Sequence, residues 1–146
     1  MKEAIKEAIK AYKKLEVPVG VVIVKNNKII ARAHNVKEEK KDTTKHAEII
    51  AIQKASKKLE NWRLTDCEMY VTLEPCSMCA GALINSRIKK LYIGAMDSKT
   101  GAVGSVLNLL EDYKFNHKVE VKTKILEKEC SDILQDFFKK LRELKK

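Results

Sequence analysis

Few cysteines and the absence of any long apolar run limit what this chain can be. It has 4 Cys among 146 residues, too few for a small scaffold held together by disulfides. No apolar run approaches the roughly 20 residues that a membrane-spanning helix needs. The N-terminal stretch mixes charged and apolar residues at helical spacing and has no small-residue cleavage site, so it does not resemble a secretory signal. We therefore expect a cytoplasmic protein with no membrane segment.

The sequence also shows no internal repeat, no low-complexity segment and no linker. A chain of 146 residues suits one domain, which would bury roughly two thirds of its unfolded surface. We therefore expect a single domain over residues 1–146.

The net charge of +10 is consistent with a polyanionic partner, because Lys and Arg release counterions from phosphates. The lysines are nevertheless spread along the whole chain, as a lysine-rich composition alone would also produce. Charge by itself leaves a nucleic-acid partner open.

Apolar spacing predicts the order of helices and strands. Residues 2–14 have the spacing of a helix with one buried face, and a hairpin follows with its turn at Asn26 and Asn27. Residues 36–45 are polar and predict a surface loop, in which Asp42, Thr43 and Thr44 could cap the next helix.

The second half of the chain alternates strand and helix. The predicted elements are strand Cys67–Leu73, helix Cys76–Asn85, strand Ile88–Gly94, a helical turn at Val106–Leu110, an edge strand at His117–Ile125 and a helix over 127–146. The strand-helix-strand step requires a parallel part of the sheet. The pattern predicts an α/β fold of five strands with helices on both faces.

The stretch Thr72–Gly81, TLEPCSMCAG, has two cysteines at a helix start. Pro75 is tolerated in a first helical turn, and the helix N-terminus favours the thiolate forms of Cys76 and Cys79. His46 and Glu48 lie at the start of another predicted helix, so two helix N-termini could converge on one ion.

One His and two Cys are three ligands that suit zinc, and a fourth position left open to water is typical of catalytic zinc sites. Glu48 would then be a carboxylate placed to move protons. Other interpretations stay open at this point. A Cys-x-x-Cys pair also occurs in redox sites, and His46 and Glu48 alone could be ordinary helix-start residues. His34 and His117 could be additional ligands, whereas Cys67 and Cys130 fit plain buried thiols.

The H-x-E and P-C-x-x-C motifs resemble the signature of the zinc-dependent cytidine/deoxycytidylate deaminase superfamily. Within it the chain is most similar to the bacterial tRNA adenosine deaminases, in segments that span nearly all of its length. These segments are EVPVG at 16–20, HAEI at 46–49, WRL at 62–64, YVTLEPCSMCAGALINSRI at 70–88 and GAMDSKTGAVGS at 94–105. The resemblance implies one CMP/dCMP-type deaminase domain with a three-layer α/β/α, cytidine-deaminase-like fold and a five-stranded mixed sheet.

The resemblance also implies a hydrolase that converts adenosine to inosine at the wobble position, the first anticodon position, of tRNA. It assigns one zinc ion per subunit to His46, Cys76 and Cys79, and proton transfer to Glu48. It further implies a homodimer that binds the tRNA anticodon loop. The matching substrate-binding positions are Asn35, Asp97, Lys99, Phe137 and Phe138.

Two other functions share features with this one. A deaminase of a free base or nucleoside, such as guanine or cytosine, would have the same metal site. A zinc-stabilised RNA-binding domain would lack catalysis, and Glu48 and the missing fourth protein ligand argue against it. Lys45 departs from the small residue that usually precedes the motif His in the resembling family, which bears on substrate contacts and not on the metal site.

Overall fold

A five-stranded mixed sheet lies between two layers of helices in the computed structural model, which describes residues 1–146. The strand order is β2-β1-β3-β4-β5. The strands are β1 (Gly20–Lys25), β2 (Lys28–His34), β3 (Cys67–Leu73), β4 (Lys90–Ala95) and β5 (Glu120–Lys122). The helices are α1 (Lys2–Lys13), α2 (Lys37–Lys40), α3 (Ala47–Leu59), α4 (Ser77–Asn85) and α5 (Glu127–Leu144). The predicted α/β class and the five-stranded mixed sheet are confirmed.

Strand pairing changes from antiparallel to parallel at β3, the strand that leads into the cysteine pair. β1 pairs antiparallel with β2 and with β3, whereas β3–β4 and β4–β5 are parallel pairs. Asn26 and Asn27 both have positive φ, as a two-residue hairpin turn requires. The carboxyl ends of β3 and β4 meet at one edge, and ligands of α/β sheets commonly bind beyond such an edge.

Alternation along the strands divides the buried residues between two faces of the sheet. Val21, Ile23, Met69 and Val71 belong to the main hydrophobic cluster, together with alanines of α3 and apolar residues of α4. On the other face, α1 packs against β1 and α5 packs against β4. None of the helices has the length and apolar character needed to cross a membrane.

Two glycines allow the α1 and α5 layer to approach the sheet closely. A Cβ at Gly20 would overlap with the backbone of α1 at Ala4 and Ala8. A Cβ at Gly94 would overlap with the side chain of Cys130 on α5. Cys67 and Cys130 are buried free thiols, as predicted.

Three local predictions were wrong. Residues 37–40 form the short helix α2 within the expected loop, because Glu16 accepts the backbone N–H groups of Glu38 and Glu39. Residues 106–110 form turns and one isolated bridge, not a helical turn. The predicted edge strand at His117–Ile125 is paired only over Glu120–Lys122.

The predicted helix starts also differ in detail. Asp42 does not cap α3; its carboxylate accepts hydrogen bonds from the backbone N–H and the hydroxyl of Thr44. His46 and Cys76 occupy the N-cap positions of α3 and α4, so Pro75 lies just before the N-cap and not within the first turn.

Candidate active site

The N-cap residues of α3 and α4 place their side-chain donor atoms close together. His46 and Cys76 both have extended backbone conformations, which turn their side chains outward from the helix starts. Cys79 is buried in the first turn of α4. His46 lies at the start of α3 and the two cysteines at the start of α4, and 30 residues of chain separate His46 from Cys76.

The spacing of the three donor atoms fits a tetrahedral zinc site. The Sγ atoms of Cys76 and Cys79 each lie 3.6 Å from Nδ1 of His46, and all three atoms lie within 4.8 Å of one another. Zinc bonded to nitrogen at about 2.0–2.1 Å and to sulfur at about 2.3 Å, at the tetrahedral angle, holds the two atoms about 3.6 Å apart. The chain therefore offers three donors of the right type and separation, and no fourth Cys or His joins them.

The site favours a thiolate. The pKa of Cys76 falls to about 4, because Cys79 and His46 both stabilise its charged sulfur through hydrogen bonds. The hydrogen bond between Cys79 and Cys76 raises the pKa of Cys79. The hydrogen bond between His46 and Cys76 raises the pKa of His46. A thiolate is the form that coordinates a metal.

Glu48 lies on the first turn of α3, two residues after His46, and is 4% exposed. Burial raises the pKa of its carboxyl to about 7, against the opposing effects of its backbone hydrogen bond and the nearby His46. A carboxyl group with a pKa near neutrality can both accept and give up a proton under physiological conditions. Glu48 lines the same cavity as His46 and Cys76.

The cavity at the carboxyl edge of the sheet has a volume of about 160 Å³. This size suits one flat ring system and excludes a folded macromolecule. Its wall combines the metal-donor residues with apolar and polar side chains, which are Val17, Val19, Asn35, Lys37, Leu73, Glu74, Asp97 and Thr100. Seven of the twelve lining residues are polar or charged, so the wall offers many groups that can orient a small polar ligand by hydrogen bonds.

Two of the predicted substrate contacts line this cavity. The amide of Asn35 donates to the carbonyl of Val17 and accepts from the N–H of Lys37, which fixes its orientation. Asp97 accepts from the backbone N–H groups of Lys99 and Thr100 and from the Thr100 hydroxyl. Each side chain is thus held in place at the cavity wall and keeps unused hydrogen-bonding capacity.

The structure separates the other three predicted contacts. Lys99 and Phe138 line a wider groove of about 820 Å³ beside the cavity, with Phe138 41% exposed. Phe137 is 1% exposed and packs edge-on between Tyr12 and Phe138. It belongs to the contact between α1 and α5, so only Phe138 of the pair offers a surface to a ligand.

Neither additional histidine reaches the cluster of metal donors. Nδ1 of His34 lies 3.5 Å from a carboxylate oxygen of Glu7 on α1. Nε2 of His117 lies 2.7 Å from the carbonyl oxygen of Ile88. Both are held by the protein elsewhere, so the suggestion that either is a ligand was wrong.

Sequence reasoning missed two buried carboxylates, Glu16 and Glu74. Both accept hydrogen bonds from backbone N–H groups of segments that carry cavity residues. Glu16 lies in the motif EVPVG and Glu74 in the motif TLEPC, each among mostly apolar neighbours. A charged residue in such surroundings is a sequence signal for a buried carboxylate with specific partners.

The sheet, its two helix layers and a His-Cys-Cys cluster at two helix starts together define a deaminase-type site. The MafB19-like deaminase family matches residues 1–142 of the chain. Among curated proteins, the tRNA-specific adenosine deaminase of Bacillus subtilis (strain 168) is 52% identical over 146 residues, which cover 100% of this chain and 91% of that protein.

Solved structures of deaminases have the same fold. A protein from work on A-to-I editing by tRNA:A34 deaminases at the wobble position superposes with a TM-score of 0.89 and 42% identity, over 92% of this chain and 97% of that one. A guanine deaminase from Nitrosomonas europaea shares the fold, with a TM-score of 0.75 and 22% identity over 92% and 80% of the two chains. The chain belongs to the family of the tRNA-specific adenosine deaminases.

Proposed function

We propose that the protein hydrolyses adenosine to inosine at the wobble position of tRNA, with one zinc ion per chain. The observation that carries this function is the buried Glu48 beside three donors spaced for zinc, at the wall of a cavity the size of one base. The 52% identity to a tRNA-specific adenosine deaminase over the whole chain supports the choice of substrate.

The groove beside the cavity supports an RNA substrate over a free base. It shares Val17, Leu73, Asp97 and Thr100 with the cavity wall, so the two form one continuous surface. Its cations are Lys99, Lys139 and Arg142, and its exposed aromatic residue is Phe138. Cations that follow a phosphate backbone and an aromatic ring for stacking are the features that bind unpaired nucleotides. A free base would leave this groove unused.

His46, Cys76 and Cys79 would hold the zinc ion. When bound, zinc lowers the pKa of a coordinated water to about 7 and so supplies the nucleophile for attack on C6 of the adenine. The two backbone-fixed N-cap residues need no rearrangement to bring their donors together, because their side-chain atoms already lie at the required separation.

Glu48 would move the protons of the reaction. It takes a proton from the attacking water and delivers it to ring N1, and a second transfer to the amino group lets ammonia leave. The net change is adenosine plus water to inosine plus ammonia. Its burial keeps bulk water away from the carboxyl and holds its pKa near neutrality.

Four further side chains would contact the RNA. Asn35 and Asp97 line the cavity and would position the base and its sugar, whereas Lys99 and Phe138 line the groove and would contact the neighbouring nucleotides. A splayed loop nucleotide enters such a cavity without the cost of opening a duplex. A tRNA substrate agrees with the cytoplasmic location expected from the sequence.

We expect purified protein to produce inosine in an anticodon stem-loop with adenosine at the first anticodon position. Liquid chromatography with mass spectrometry of the digested RNA measures the product directly. The control is the same stem-loop with the single adenosine moved into the paired stem, where stacking protects it. Absence of inosine, together with ammonia release from free guanine or cytosine, would instead establish the free-base deaminase.

We also propose that residues 1–146 act as one deaminase domain and that two copies form a homodimer. The segment between β4 and β5 has four exposed large apolar side chains, Val106 (58%), Leu107 (36%), Tyr113 (56%) and Phe115 (48%). Clustered apolar side chains at a surface mark contact with another molecule.

We expect sedimentation velocity at micromolar concentration to give a dimer, and Phe115→Ser to shift the equilibrium toward monomer. Leu144→Ser is the control, because Leu144 is also an exposed apolar residue (59%) but lies at the end of α5. A monomeric wild-type protein at that concentration would contradict the proposal.

A further inference from the structure

Glu74 is a buried carboxylate that no step of the proposed reaction uses. It is 3% exposed and lies between the end of β3 and the metal-donor residue Cys76. Its carboxylate accepts the backbone N–H groups of Asp97 (2.9 Å), Val103 (2.9 Å) and Ser105 (3.0 Å), and also the Ser105 hydroxyl. One side chain therefore holds both ends of the segment 97–105.

Gly101 makes this arrangement sterically feasible. A Cβ at that position would overlap with the carboxylate carbon and both carboxylate oxygens of Glu74. The backbone φ of Gly101 is not in the left-handed region, so space and not conformation explains the glycine. The segment wraps around the carboxylate so closely that any Cβ at position 101 would displace it.

The same segment forms part of the substrate site. Asp97 and Thr100 line the cavity, and Ser98 and Lys99 line the groove. Its backbone is also tied to the metal-donor helix, since the N–H of Ala102 donates to the carbonyl of Pro75 (2.9 Å). The position of the segment relative to Cys76 is thus set by Glu74 and its immediate neighbour.

We propose that Glu74 is a positioning residue that holds segment 97–105 in the conformation that binds the RNA, with Gly101 as its required steric partner. Charge-assisted hydrogen bonds to backbone N–H groups are stronger than neutral ones, so one carboxylate can order nine residues that contain no helix or strand. The inference rests on the proposed function, because it assigns the segment to substrate binding.

Glu74→Gln tests the first half of the proposal. Glutamine keeps the volume, but its NH₂ group meets N–H donors where the carboxylate had an acceptor. We expect hydrogen exchange to accelerate at the backbone amides of Asp97, Val103 and Ser105. If the bound conformation falls to a tenth of the population, KM for the stem-loop rises by about tenfold. Zinc content should stay unchanged, and kcat should change much less than KM.

Gly101→Ala tests the second half and leaves residue 74 a glutamate. We expect the same rise in KM and the same loss of amide protection, and the double variant should be no worse than either single one, because both break one contact. Gly81→Ala is the matched glycine control, since a Cβ there meets nothing within 4 Å. Glu7→Gln is the matched buried-carboxylate control, on α1 and 4% exposed.

The outcomes separate this inference from the proposed function. A wild-type protein that makes inosine, with unchanged KM in both variants, overturns the inference and leaves the function intact. Equal losses in kcat, zinc content and melting temperature would also overturn it, since they show a purely structural role. If the wild type makes no inosine, the function fails and the assignment to RNA binding fails with it, while amide exchange still shows whether Glu74 holds the segment.

Discussion

Glu48→Gln lowers kcat for inosine formation by about 10²- to 10⁴-fold, the range that a positioned general acid–base group supplies. Glutamine has nearly the same size and polarity but carries no proton that it can exchange with water or with N1 of the adenine. The metal donors are unchanged, so the variant should still contain about one zinc per chain. Single-turnover measurement of inosine in the stem-loop checks the rate.

The control for this substitution is Glu60→Gln, at the exposed C-terminal end of the same helix. It removes the same charge from α3 without touching the cavity, so activity should stay within a factor of about two, as for surface changes in general. Deamination by Glu48→Gln at the wild-type rate would exclude the Glu48 carboxyl as the proton carrier. The reaction would then depend on another group.

Cys79→Ser removes the zinc and with it the activity. A hydroxyl is a far poorer zinc ligand than a thiolate, and even changes to the residues around metal ligands cost about 10- to 100-fold in affinity. We expect elemental analysis to find little zinc in the variant. The melting temperature should also fall, because a metal present at about 1,000 times its Kd stabilises the folded state by about 4 kcal/mol.

Cys67→Ser serves as the control. Cys67 is also buried, but it lies on β3, where its thiol contacts the carbonyl oxygen of Thr65 (3.8 Å) and none of the metal donors. Zinc content should stay at about one per chain, as expected for a site with three ligands on α3 and α4. Full zinc content in Cys79→Ser would show that the ion is held by other residues.

Much of the fold follows from local pattern. Asn26 and Asn27 mark a tight turn between two apolar runs, and the helix between Cys67–Leu73 and the next strand forces those strands to be parallel. The convergence of His46 with the cysteine pair also follows, because helix starts next to the same sheet edge carry all three donors. Each of these features can be predicted from a local pattern, either a turn, a helix start or an apolar period, although His46 and Cys76 are themselves 30 residues apart.

The remainder depends on contacts between distant residues. Helix α2 exists because Glu16, 22 residues before Glu38, accepts its first N–H groups. Glu74 orders a segment 23 to 31 residues further along the chain. Phe137 points into the α1–α5 contact and Phe138 to the groove, a choice that the FF pair itself does not reveal. No local pattern encodes which distant backbone a buried carboxylate will bind.

Zinc titration of the chelator-treated protein tests most directly whether deamination of tRNA requires one zinc ion, as expected for the site formed by His46, Cys76 and Cys79. Inosine at the first anticodon nucleotide is the readout. We predict that activity rises in proportion to added zinc and stops rising at about one zinc per chain, the occupancy of one three-ligand site. Full activity in the protein stripped of metal, or saturation with no inosine formed, would contradict the account.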